Sequence, residues 1–184
     1  MRVTRLKLNG FRGFKELDLN LDRGLTVLVG ANGAGKSSIL DAAAIMLSRV
    51  AAGIATGMPQ NGRKIRSEDI HQASASASIE MEAEIAGEQV AWTVRHARAG
   101  KFRPPSALAA LKAATEKLRV VETEREQSVT LAVYYPVNRA VLDVPVRIRK
   151  RHAVERMAAY EQALAGGDRS FRVFFEWFRG REDI

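Results

Sequence analysis

Eight consecutive residues constrain this chain more than any other feature: Gly30-Ala31-Asn32-Gly33-Ala34-Gly35-Lys36-Ser37. They satisfy every fixed position of the phosphate-loop pattern G-x-x-x-x-G-K-[S/T]. Ordinary residue usage puts a chance match in a chain this short at about one in a hundred. The flanks agree with the pattern. Leu25-Thr26-Val27-Leu28-Val29 is a short apolar, β-branched run and predicts a buried strand. Ser38 to Leu47 reads as a helix, predicted to run to about Val50 and to end near Gly53. Glycines at such a turn let the backbone approach a ligand closely, and consecutive N–H groups then converge on anionic oxygens. The helix that starts there adds its positive dipole end. Asn32, Gly33, Ala34, Gly35, Lys36, Ser37 and Ser38 are therefore the candidate nucleotide-binding residues. Lys36 supplies a mobile charge for the β- and γ-phosphates of ATP. The Ser37 hydroxyl suits Mg²⁺, which otherwise keeps water and phosphate oxygens. A Gly-rich strand–helix turn without a ligand is the competing reading.

Composition narrows the remaining choices. The 184 residues suffice for one domain with a real core, and 46% apolar against 27% charged residues is ordinary for a globular chain. The formal net charge of +8 suits a polyanionic partner such as DNA. No cysteine is present, which excludes disulfides, thiolate metal sites and cysteine nucleophiles. His71, His96 and His152 are scattered without ligand spacing. Arg2, Arg5 and Lys7 are followed by no apolar run, so no signal peptide is expected. The apolar stretch Ile39 to Ile54 is broken by Asp41, Ser48 and Arg49 and is not read as a membrane span. A cytoplasmic location is the expectation.

Periodicity predicts the other elements. Arg2 to Leu8 is a first strand with Leu6 and Leu8 on one face; a turn follows through Asn9 to Phe14. Leu17, Leu19 and Leu21 alternate with polar residues, as in a half-buried antiparallel strand. Ile79, Met81, Ala83 and Ile85 alternate with glutamates, Gly87 turns the chain, and Val90, Trp92 and Val94 alternate again: a hairpin. Residues 54–70 form a loop made basic by Arg63, Lys64 and Arg66. Ser106 to about Val120 is helical, and Gln127 to Val137 is a second apolar core strand. Arg147, Arg149, Lys150 and Arg151 form a dense basic cluster, and Phe171 to Phe178 an aromatic helical stripe. Two regions are expected: residues 1–150 as the phosphate-loop lobe, and 151–184 as the start of a helical lobe.

A phosphate-loop ATPase also needs an acid at the end of an apolar strand to hold Mg²⁺ and order water. Ala140-Val141-Leu142-Asp143 is the nearest approach, and no Leu-Ser-Gly-Gly segment follows the loop. The chain is therefore expected to be the N-terminal part of a longer ATPase, able to bind nucleotide with little hydrolysis of its own.

Asn9-Gly10-Phe11-Arg12-Gly13-Phe14, followed by Gly30 to Ser38, resembles the N-terminus of ATPases of the RecF, SMC and overcoming-lysogenization-defect type, which are ABC-like heads. Tyr134-Tyr135-Pro136-Val137-Asn138-Arg139 and Phe175 to Asp183 look like a bacterial subgroup that includes ATPases of Septu-like and retron-associated antiphage systems. The resemblance implies an α/β fold: a P-loop NTPase, the N-terminal portion of an ABC-ATPase-like head. It would have a mixed sheet, an antiparallel β subdomain and the start of a helical lobe. It implies catalytic roles for Lys36 and for Arg12, which sits where such families place an arginine beside the phosphates. Asn138 lies near the family's Mg²⁺-sensing glutamine, and a turn residue after Pro136 is the other reading. Such heads close as homodimers, or higher oligomers, around ATP and act on DNA. The expected function is an ATP-driven switch in DNA repair or antiphage defence. Two rivals stand beside it: a small-molecule kinase using the same loop, and a non-hydrolysing scaffold that recruits a nuclease.

Overall fold

The computed structural model describes residues 1–99, 105–125 and 132–135. Their elements are β1 (Arg2–Phe11), β2 (Phe14–Asn20), α1 (Lys36–Thr56), β3 (Ser76–Ile85), β4 (Glu88–Ala97) and α2 (Ala109–Arg125), with 3₁₀ turns at Pro59–Asn61 and Ser67–Asp69. The chain divides into two compact units, Met1–Thr130 and Leu131–Ile184. All of these elements belong to the first unit. The expected boundary at residue 150, the basic cluster at 147–151, Asn138 and the aromatic stripe at 171–178 lie outside the described residues. So does most of the expected strand Gln127 to Val137, of which Ala132–Tyr135 is described, without strand pairing.

The sheet has the order β2-β1-β3-β4. Both sequence-predicted hairpins are present: β1 pairs antiparallel with β2, and β3 with β4. Ala86 and Gly87, both with positive φ, make the two-residue turn between Ile85 and Glu88. Two central residues in that region form the turn whose twist matches the flanking strands.

Side-chain alternation gives the sheet two unlike faces. Leu6, Leu8, Ile79, Met81, Ala83, Ile85, Val90, Trp92 and Val94 are all buried on one. The other carries a charge ladder in which Arg2 meets Glu84, Arg5 meets Asp18 and Glu82, and Lys7 meets Glu80. A register shift between Val3 and Arg5 puts Arg2 and Arg5 on this same face although they are three apart. Half-exposed ion pairs contribute about 0–1 kcal/mol each. Burying one large apolar side chain contributes about 1.5–3 kcal/mol. The apolar face therefore sets the register, and the charges decorate it.

Helix α1 covers that apolar face, burying Ala42, Ala44, Ile45, Met46, Val50 and Ile54. It runs to Thr56, a turn further than the sequence predicted, and the Gly57 N–H closes it on the Gly53 carbonyl at 2.9 Å. Gly53 does not stop the helix because it serves as a contact: a Cβ there would sit 2.5 Å from Thr115 Oγ1 and 2.9 Å from Thr115 Cβ. Helix α2 crosses at this point, burying Leu111, Ala114 and Thr115. Among the described residues α1 is the one helix long and apolar enough to cross a membrane, and about half of it is buried inside the fold. Its apolar character is that of a core helix.

One expectation is corrected. Leu25–Val29 was predicted as a buried strand leading into the phosphate loop. It pairs with no strand among the described residues, and Leu25 and Val29 are 77% and 91% exposed. The described sheet is antiparallel throughout, and with the helices that pack on it the fold is α/β. A fully apolar strand is buried only between neighbours on both sides, and the four described strands form their sheet without it.

The Gly53–Thr115 contact is testable. Gly53→Ala gains helix propensity of about 1 kcal/mol but forces apart a β-branched, fully buried partner, so a net loss of about 1–2 kcal/mol is expected. Adding Thr115→Ala restores part of it, since the Oγ1 and Cγ2 contacts go while the Cβ contact at 2.9 Å stays, as read by urea denaturation.

Candidate phosphate-binding site

The loop between Gly30 and Lys36 is an open turn ahead of a helix. Ala34 N–H bonds to the Ala31 carbonyl at 3.2 Å, and Gly33 and Gly35 take φ of +85° and +91°. Side chains rarely adopt this left-handed backbone, which is why glycine stands at both positions. Gly35 is also pressed from outside: a Cβ there would lie 2.5 Å from the Phe14 ring. The first intrahelical bond runs from Ile39 N–H to the Gly35 carbonyl at 3.1 Å. The amides of Lys36, Ser37 and Ser38 thus lack intrahelical partners, as at every helix start. No side chain caps them and no acid stands in the first turn. The positive helix end is left for an external anion.

Lys36 faces this turn. Its Nζ donates to the carbonyls of Gly30 at 2.6 Å and Ala31 at 2.8 Å. An ammonium has three donors, so the lysine is held at the loop with one N–H to spare. Asn32, Gly33, Ala34 and Ser37 are exposed, and Gly35, Lys36 and Ser38 are partly so. Among the described residues no three acidic, histidine or cysteine side chains converge as a metal site. A Mg²⁺ here would rest on Ser37, water and phosphate oxygens, which suits that ion.

Arg12 comes to the same helix from the β1–β2 turn. Its backbone has φ of +49°, unusual for a residue with a side chain. The Arg12 N–H donates to the Asp69 carbonyl at 2.7 Å and its Nε to Asp69 Oδ1 at 2.9 Å. Its Nη1 pairs with Asp41 Oδ2, on α1 four residues beyond Ser37. The guanidinium also lies 5.3 Å from the centroid of the Phe11 ring. Burial works against the Arg12 charge, and the two carboxylates outweigh it, raising its pKa above the usual arginine value. Asp41 and Asp69 were not singled out from the sequence. Their positions, 29 and 57 residues from Arg12, carry no pattern that signals the contact.

The basic loop is anchored from below. Arg49, buried on α1, donates to the carbonyls of Pro59 at 3.2 Å, Gln60 at 2.6 Å and Arg63 at 2.7 Å. Ser48 Oγ accepts the Arg63 N–H at 2.7 Å. Burial lowers the Arg49 pKa, because the guanidinium has exchanged water for carbonyl dipoles. This fixed loop leaves Lys64 and Arg66 exposed, with Arg66 3.3 Å from Glu68.

The AAA domain profile matches residues 5–168. This chain belongs to the AAA domain family. Short stretches of it are similar to RecF, Smc and Rad50 proteins. Over 97% of its length it is 27% identical to the Retron Ec83 probable ATPase of Escherichia coli, of which it spans 34%. A 42-residue stretch is 52% identical to the DNA replication and repair protein RecF of Roseiflexus castenholzii, covering 23% of this chain and 11% of that protein. The SMC head domain of Thermotoga maritima is 26% identical over 66% of this chain and 42% of its own, with a TM-score of 0.39. This AAA chain thus spans about a third of the length of the retron ATPase that it matches.

Gly35→Ala meets both a forbidden φ and the Phe14 ring. The loop must shift, and a stability loss of about 1–3 kcal/mol is expected, seen as a lower thermal midpoint. Gly30→Ala, whose Cβ would have only Ala34 Cβ at 3.4 Å, is expected to be nearly silent in the same measurement.

Proposed function

We propose that this AAA domain binds Mg·ATP on Asn32–Ser38 and works as an ATP-dependent switch in a DNA-associated head. The reading rests above all on one observation: a glycine loop feeds a helix whose first amides have no partner, with Lys36 parked on two loop carbonyls. Such an arrangement favours an anion and little else.

Lys36 leaves the Gly30 and Ala31 carbonyls to meet the β- and γ-phosphates, and Ser37 supplies one oxygen to Mg²⁺. Bound ATP supplies a polyanion that a second head can also grip, so it favours the closed pair only as far as it binds that pair more tightly. Arg12 is the further cation assigned to the phosphates. DNA is the proposed readout, with Lys64 and Arg66 as its candidate contacts among the described residues. The net charge of +8 supports this, as do the DNA replication and repair function in RecF's name and the likeness to a retron ATPase. Antiphage defence and DNA repair are the two proposed settings, with a nuclease as the proposed effector of the first.

Calorimetry tests the core of the reading. Mg·ATP should release heat on binding, and Lys36→Ala should weaken it about 10- to 100-fold, the worth of a charge-assisted hydrogen bond of 1.5–3 kcal/mol. Identical isotherms for both proteins would refute the site. For DNA, log affinity should fall linearly with log salt, and Lys64→Ala should reduce the slope by about one. A flat salt dependence removes DNA from the proposal.

A further inference from the structure

We propose that Asp41 and Asp69 are positioning residues of the phosphate site: they fix the Arg12 guanidinium beside the first turns of α1, so nucleotide affinity depends on both. The inference rests on the reading that the loop binds nucleotide, and extends it to two carboxylates outside the phosphate-loop pattern.

The turn between β1 and β2 touches the loop–helix junction twice. The Phe14 ring lies against Gly35, and Arg12 reaches Asp41 one helical turn beyond Ser37. Residues four apart share a helix face, so the guanidinium is held on the face that begins with the Mg²⁺-ligand candidate. Asp69 holds it from the other side, through its carbonyl and its Oδ1. Asp69 is itself fixed, since its Oδ2 accepts the Arg66 N–H at 3.0 Å. A strained backbone at Arg12 persists only where its surroundings over-determine it, and here two carboxylates do so.

Burial makes this a fixed post rather than a swinging arm. The Asp69 side chain is 8% exposed, Asp41 18% and Arg12 32%. Were Arg12 to leave, Asp69 would remain as a nearly buried carboxylate without a counter-charge, a costly state. Nη2 of Arg12 makes no hydrogen bond among the described residues and is not a buried orphan. Its two N–H groups are left to meet an anion.

Simple electrostatics and positioning predict opposite signs. Neutralising a carboxylate near a polyanion site raises the local potential, so if Asp41 and Asp69 are bystanders, Asp41→Asn and Asp69→Asn bind ATP more tightly. As positioning residues they bind it more weakly, by about 10-fold, the order that loss of an outer-shell partner costs a ligand site. The measurement is Mg·ATP calorimetry on the full-length protein, with thermal midpoints to confirm folding; Asp41→Asn, at the more exposed carboxylate, serves if Asp69→Asn does not fold. Arg12→Gln should weaken ATP similarly, and Arg12→Gln with Asp41→Asn should be no worse than Arg12→Gln alone, because Asp41 acts through Arg12. Unchanged or tighter binding in the Asn variants, or additive losses in the double variant, overturns the positioning role. If Lys36→Ala also leaves binding intact, the nucleotide reading falls with it.

Discussion

The seating of α1 on the apolar face of the antiparallel sheet is the contact on which everything else depends. The helix has to be apolar enough to bury Ile45, Met46, Val50 and Ile54. It also has to leave its first turn bare of apolar cover and of acids, since that end is where an anion would be held. One helix meets both demands by dividing them along its length. Its middle and C-terminal half belong to the core, and Lys36 to Ser38 face outward from it.

The β1–β2 turn ties these two roles together. Phe14 lies on Gly35, while Arg12 spans Asp41 on the helix and Asp69 on the Ser67–Asp69 3₁₀ turn. A small turn thus packs against the start of the helix and sets a cation beside it. Arg49 plays a comparable part at the far side, gathering three carbonyls so that the basic loop is held to the helix rather than free of it. Both arginines act through geometry that an aliphatic side chain could not supply, because a guanidinium presents several donors in one plane.

The outer charge ladder illustrates a different balance. Arg2, Arg5 and Lys7 face Glu84, Glu82 and Glu80 across the strands, with Asp18 completing the row. Each pair is weak and half-solvated. The ladder neutralises much of the positive charge of β1, so the net basic character of the chain has to be carried elsewhere.

Much of this was legible in the sequence. Alternation in Ile79–Val94 gave the hairpin because a half-buried strand has a period of two. The Gly30–Ser37 pattern located the loop because its backbone demands glycine at Gly33 and Gly35. Local rules of this kind need only neighbours in the chain. What tertiary structure alone decided is which distant groups meet. Leu25–Val29 looked buried because burial is inferred from composition, yet a strand is buried only if partners flank it. Gly53 looked like a helix stop, but it is the small residue that lets α2 approach. Arg12 finds Asp41 and Asp69, and Arg49 finds three carbonyls, across separations that no periodicity encodes, because such contacts follow from packing the elements together and not from their order in the chain.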